Sequence, residues 1–305
     1  MSTPEATTLI SMKETLRTLR WSTWLGWQIE SNWADWRLFL LYLVVKPVCG
    51  AMMLVCMFYA AKFAIALTSK PVPVEFLPFL YISNACYGLV ASVMFGMSNV
   101  VISDRESYRM LKYIYISPAN FQAYFVGRGL ARGLEAVVGG MITLGVGLLI
   151  PDIRNSLNTR WIDLAWLPMF LGLGSVMLWC CGMILASAVL NMSRSGMFLS
   201  ESVSGVVYFL SGAVFPLNVL PMWLQWVAQC LPTAYWLEGM RRSIAGPAPA
   251  GSPLADTPLS GYSNLELAGL LAVTTAGLIL FSQWFYGWSV RKAWRNGKLE
   301  ETTGM

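Results

Sequence analysis

Hydrophobic residues run along this chain in long blocks, not in alternation or narrow stripes. A helix that crosses a bilayer needs about 20 largely apolar residues. Five stretches meet that length: Leu38–Leu67, Phe76–Ile102, Leu134–Ile150 with the upstream Phe121–Gly133, Leu164–Leu190 and Leu265–Val290. A sixth, Met197–Phe215, is shorter and contains Glu201 but is otherwise apolar. The pattern predicts an all-α integral membrane protein, with six transmembrane helices between residues 37 and 290.

The segments around these blocks have their own patterns. In residues 1–36, the stretch Thr15–Trp36 interleaves Leu16, Leu19, Trp24, Trp27, Ile29 and Trp33 with Arg17, Arg20, Gln28, Glu30 and Asp35. That mixture predicts an amphipathic helix lying in the membrane interface, or a cytoplasmic helix packed on another subunit. After the second block, residues 103–118 begin with charges and then place Met110, Leu111, Ile114 and Tyr115 at helical spacing, ending at Ser117-Pro118. Such an amphipathic helix suits a groove on a partner protein. After the fifth block, residues 211–242 stay apolar but are broken by Pro216, Pro221 and Pro232. Proline removes a backbone donor and disfavours helix in the residue before it. The segment is therefore expected to form short re-entrant helices in the outer leaflet, with protein covering the freed backbone groups. Residues 243–264 are rich in Pro, Gly and Ser and predict a flexible external loop, and residues 291–305 form a tail. The two halves show no matching broken helices of the kind that mark an inverted-repeat transporter.

Composition and charge narrow this picture. Only 12% of residues are charged, against about 25% in a soluble domain, so most of the surface must face lipid. With the N-terminus inside, fourteen Lys and Arg flank the spans on the inner side and six on the outer. This bias places both termini in the cytoplasm. The net charge of +5 lies beside apolar blocks and does not mark a nucleic-acid binder. Residues 1–12 are polar and do not show a signal-peptide pattern, so no cleavable signal peptide is expected and insertion is expected to start at the first span. Histidine is absent, which removes His-based proton relays, Ser-His nucleophiles and His-ligated metals. The six cysteines sit almost entirely in apolar blocks without a Cys-x-x-Cys pair, and read as small hydrophobes, not as a metal site.

Three charges, Lys46, Glu135 and Glu201, fall in or near spans, where desolvation makes an ionisable group costly. A Lys46–Glu201 pair is geometrically possible, and Arg132 and Glu135 stand i,i+3 on one face. Gly127, Gly129, Ala131 and Gly133 permit close helix approach. Many of the Trp residues, among them Trp21, Trp24, Trp27, Trp161, Trp166, Trp284 and Trp288, fall at predicted membrane boundaries.

Two of these segments carry a family resemblance. The charged helix ending in Ser117-Pro118 follows the second span. Gly212, Phe215-Pro216, Leu220-Pro221-Met222-Trp223-Leu224 and Leu231-Pro232, with Tyr235, Glu238-Gly239 and Arg241, follow the fifth. Together they resemble the ABC type-2 exporter permease, and the likeness covers nearly the whole chain. Many members have Gly-Thr where Arg109-Met110 stand here. The resemblance implies a dimer, of two copies or of this chain with a paralogue, bound to two ABC ATPase subunits. It implies that Arg105, Glu106, Arg109, Leu111, Tyr113 and Tyr115 form the coupling helix, and that a path for hydrophobic, lipidic or glycan substrates lies between the permeases. The chain has no phosphate-binding Gly-x-x-x-x-Gly-Lys-Ser/Thr loop, since Gly127–Gly133 lacks the lysine. It is thus expected not to be an enzyme, with ATP and Mg held by the partner ATPase. The alternative is an ATP-independent secondary transporter or channel, which predicts paired broken helices and more midplane polar groups.

Overall fold

A computed structural model describes residues 4–31, 35–66, 76–117, 119–157, 160–192, 195–247 and 257–297, and every regular element among them is helical. In chain order, α1 (Pro4–Ser31) and α2 (Trp36–Ala66) precede a rod made of α3 (Phe76–Val90), a π-helical turn (Ala91–Phe95) and α4 (Gly96–Glu106). A turn leads to α5 (Leu111–Ile116) and then to α6 (Phe121–Gly147). The short α7 (Pro151–Ser156) and α8 (Trp161–Leu164) introduce α9 (Leu167–Leu190), followed by α10 (Gly196–Leu210). Beyond it lie a 3-10 turn (Leu217–Val219), α11 (Met222–Cys230), α12 (Pro232–Ala245) and the long α13 (Asn264–Arg295).

Five helical segments are long and apolar enough to cross a membrane: Arg37–Ala64, Phe76–Glu106, Phe121–Gly147, Trp161–Leu190 and Asn264–Arg295. They correspond to the five long apolar blocks. The expected sixth is different. Its helix, α10, has 15 residues, about 22 Å at 1.5 Å per residue, against a hydrocarbon core of about 30 Å. Just past its last residue, Gly212 at φ +73° turns the chain through a left-handed conformation that a side chain would strain.

Local chemistry explains the helix starts. The Asn120 side chain accepts from the backbone N–H groups of Gln122 (3.0 Å) and Ala123 (3.2 Å), capping α6. Ser263 and Glu266 form a reciprocal capping box at the start of α13. Pro232 occupies the first turn of α12, where its missing N–H costs no helix bond.

The central helix is α6. On one side Gly127 and Ala131 meet Leu19, Ser22 and Gly26 of α1, so that a Cβ at Gly26 would stand 2.8 Å from that of Ala131. On the other side Gly129 meets Met97 and Gly133 meets Val93. Bare backbone on two faces lets α6 sit tightly between its neighbours. The helix expected over Thr15–Trp36 runs from Pro4 to Ser31 and packs along the start of α6. Trp21 and Trp24 remain on its outer face, exposed. Trp33 and the loop 68–75 lie outside the described residues.

The main core joins α3, α9, α10, α12 and α13, with Trp236, Phe170, Ile82 and Leu271 at its centre. A second core ties α4, α5, α6, α9 and the end of α13 through Met97, Leu111, Phe125 and Leu190. By contrast α2 is barely packed: only 11% of its most apolar window is buried.

Candidate functional site

The two segments singled out by pattern lie at opposite ends of the bundle. At one end the rod α3–α4 terminates. Residues 103–118 do not form one helix: α4 stops at Glu106, the chain turns through residues 107–110, and α5 has six residues. Met110 N–H donates to the Asp104 carbonyl (2.9 Å), and Arg109 takes a left-handed conformation at φ +51°, so the helical ladder ends there. Pro118 lies outside the described residues.

The expected coupling residues divide by exposure. Arg105 is buried, 3.5 Å from half-buried Glu106, and Leu111 is buried in the second core. Tyr115 stacks edge-on against Phe121, with ring centroids 5.4 Å apart. Arg109 and Tyr113 are exposed, together with Tyr108, Lys112 and Ile116. A compact knob of aromatic, aliphatic and basic side chains thus projects from a buried base.

That base contains a group the sequence reading missed. Tyr124 donates to Asp104 Oδ2 (2.7 Å), the Arg128 guanidinium lies 3.6 Å from Asp104 Oδ1, and Arg128 also donates to the Tyr124 hydroxyl (3.3 Å). All three side chains are buried. They fasten the end of α4 to the first turns of α6, directly behind the knob. The one available signal was Tyr124 and Arg128 standing i,i+4 beside an acidic helix end.

At the opposite end the proline-broken segment folds onto the bundle. Arg241 is its hinge pin. It donates to the Gly212 carbonyl (2.8 Å), to Ser83 Oγ on α3 (3.1 Å) and to Glu238 (2.6 Å), and its guanidinium lies 4.2 Å from the Phe79 ring centre. Arg242 joins Glu238 (2.8 Å) to the carbonyls of Leu259 (2.8 Å) and Tyr262 (2.6 Å). Burial pushes the Glu238 carboxyl up, but the Arg241 and Arg242 guanidiniums more than offset this and hold it below the usual carboxylate range. Tyr235 donates to the Gln229 carbonyl (2.7 Å) and the Trp236 indole to that of Phe170 (2.9 Å). Phe215 meets Phe209 edge-on at 5.3 Å, and Pro216 and Pro232 are buried. Pro221 and Trp223 face outward, beside Met222, Trp226 and Val227. Residues 248–256 of the expected flexible loop lie outside the described residues. Its described end is ordered differently from that expectation, since Leu259 is buried in the main core and its carbonyl is held by Arg242.

The charges in the spans are also placed. Arg132 lies 2.6 Å from Glu30 of α1 and 3.8 Å from Glu135. Lys46 donates to the Tyr42 hydroxyl (2.8 Å) one turn away on α2. Glu201 is exposed on α10, and no ion pair joins it to Lys46 among the described residues. The pair that the sequence left possible is not formed within one chain, because α10 packs on α9 and the rod while α2 packs on α3 and α6. Lys46, Arg132 and Glu135 instead share a cavity of about 490 Å³ between α2, the rod and α6.

Part of the chain is similar to a curated protein of Mycobacterium tuberculosis, the "Probable doxorubicin resistance ABC transporter permease protein DrrC", in the strains CDC 1551 / Oshkosh and ATCC 25618 / H37Rv. Each match is 24% identical over 152 residues, 49% of this chain and 52% of the relative, so the similarity spans about half the length of these relatives. A family model described as "ABC-2 type transporter" matches residues 18–244. That interval runs from the α1–α6 contact through the α4–α5 turn to the Arg241 clamp, and the chain belongs to the ABC-2 type transporter family of multi-pass membrane proteins.

Proposed function

We propose that the chain is the transmembrane subunit of an ATP-driven exporter, working as a pair of permeases with two separate ATPase subunits that hold ATP and Mg. Both termini and the α4–α5 knob face the cytoplasm of a cell whose inner membrane the chain crosses six times. The sixth crossing is α10 together with the turn 211–216, buried at Ser211, Gly212, Ala213 and Pro216. Residues 222–245 re-enter the outer leaflet, a reading supported by the outward face of Met222, Trp223, Trp226 and Val227 beside a clamped α12.

One observation carries the mechanism: an exposed knob on a buried base. Closing ATPase subunits press on Tyr108, Arg109, Tyr113 and Ile116. Leu111 and the Asp104–Tyr124–Arg128 cluster pass that force to α4 and α6 together, so the two helices tilt as a unit. ATP shifts the spans only by as much as the ATPase binds one arrangement better than the other, and the knob is where that difference is felt. The cargo is hydrophobic, lipidic or glycan. The relatives' name makes doxorubicin the first compound to try.

The test pairs the chain with an ATPase encoded beside it and reads both ATP hydrolysis and transport in vesicles. Tyr113→Asp combined with Ile116→Asp is expected to leave the permease folded but to uncouple the two activities, with transport falling at least tenfold. Full transport by that variant would sink the reading.

A further inference from the structure

We propose that the cavity between α2, the rod and α6 binds an anionic amphiphile, with its acidic head at Lys46 and its apolar chain leaving sideways between α2 and α3. The volume, about 490 Å³, lies within the range of small-molecule sites. Its wall is too polar for a hydrocarbon filler alone, since Asn84, Ser92 and Asn99 line it beside the three charged groups.

The charges specify the head. Arg132 stands between two carboxylates, Glu30 and Glu135. Lys46 has a hydroxyl, Tyr42, and the face of the same ring at 4.6 Å, but no carboxylate within ion-pair distance among the described residues. A cation inside a span is costly unless an anion or water meets it.

The shape specifies the tail. Tyr42, Lys46 and Gly50 on α2 and Gly88 on α3 are exposed where the cavity meets the surface. A Cβ at either glycine would touch nothing within 4 Å, which leaves a slot between the two helices. On the inner wall, the π-helical turn Ala91–Phe95 contributes Ala91, Ser92 and Phe95. Such wide turns are rare and recur at functional sites.

The inference rests on the chain spanning a membrane, but not on ATP-driven transport, so the binding test needs no ATPase. The full-length chain, purified in detergent, is titrated with phosphatidylglycerol or phosphatidylcholine and read by native mass spectrometry. The wild type is expected to hold one phosphatidylglycerol per chain and to prefer it about tenfold. Lys46→Gln should abolish the preference, and Lys46→Arg should keep it, which separates loss of charge from loss of fold. Lys62→Gln, a cation further along α2, should change nothing. The idea is overturned if Lys46→Gln binds like the wild type, or if Lys62→Gln loses as much. It is also overturned if Glu201→Lys restores a defective Lys46→Glu chain, because Lys46 then belongs to a contact between copies. A second arm separates the two sources of such a ligand. In vesicles with the ATPase and labelled phosphatidylglycerol, a cargo crosses the bilayer when ATP is added, whereas a resident lipid remains bound.

Discussion

Arg109 shows how much one backbone angle can decide. Its φ of +51° costs an L-residue about 1–2 kcal/mol, whereas glycine adopts it freely at an entropic cost of about 0.5–1 kcal/mol. The glycine that many ABC-2 permeases carry at this place is thus the residue the turn asks for. Arg109→Gly is expected to leave stability unchanged or raise it by up to about 1 kcal/mol. Arg109→Val, stiff and β-branched, should lower it by about 1–2 kcal/mol, as read by thermal unfolding in detergent. A glycine variant that is stable but uncoupled would show that the guanidinium is kept for the partner. Behind the turn, Asp104 and Arg128 are both buried, and removing one partner from a buried pair costs about 3–5 kcal/mol. Asp104→Leu should therefore unfold the chain well below the wild-type temperature. Asp104→Leu with Arg128→Met, which removes both charges, should recover much of that loss; a double variant no better than the single would mean that the pair is not the stabilising unit.

The same turn explains what the pattern of residues could not show at the scale of elements. Periodicity predicted one helix over residues 103–118, and Ser103–Ser117 contains neither Gly nor Pro to mark a break. The break follows from one tertiary contact and one local one: the Asp104 side chain is drawn into the α6 interface, and its carbonyl accepts from Met110 N–H across the turn. The apolar blocks were legible because membrane length imposes them directly. The α1–α6 contact was half legible. Small residues along α6 announced a close approach, but nothing in Ser22 or Gly26 said that α1 supplies the partner. A bulky side chain tests that contact. Gly127→Leu would overlap Ser22 and the Leu19 carbonyl, so it is expected to push α1 off α6. Trypsin should then cut at Arg17 or Arg20 at least tenfold faster than in the wild type. An unchanged cleavage rate would mean that α1 holds to the bundle by other contacts.

At the scale of the whole molecule, the spacing of apolar blocks predicted which segments cross, and the Lys and Arg bias predicted their direction. Pairing between distant spans was not readable, which is why Lys46 and Glu201 looked like partners: similar depth says nothing about which helices are neighbours. The direction makes a prediction that the packing sharpens. The end of α13 and the α4–α5 knob share the second core, through Ala293 and Leu111, so they must lie on one side of the membrane. The loop before α13 carries Gly261, where a Cβ would meet nothing within 4 Å. It is separated from Asn296 by a 32-residue helix, about 48 Å long and ample for a bilayer of about 30 Å. In a chain whose native cysteines are replaced, Tyr113→Cys and Asn296→Cys should therefore label with a membrane-impermeant maleimide only after the cells are permeabilised. Gly261→Cys should label in intact cells. If Tyr113→Cys and Asn296→Cys label on opposite sides, α13 does not cross the membrane. If Tyr113→Cys and Asn296→Cys label in intact cells and Gly261→Cys only after permeabilisation, the chain is inserted the other way up. A knob facing outward could then meet no cytoplasmic ATPase.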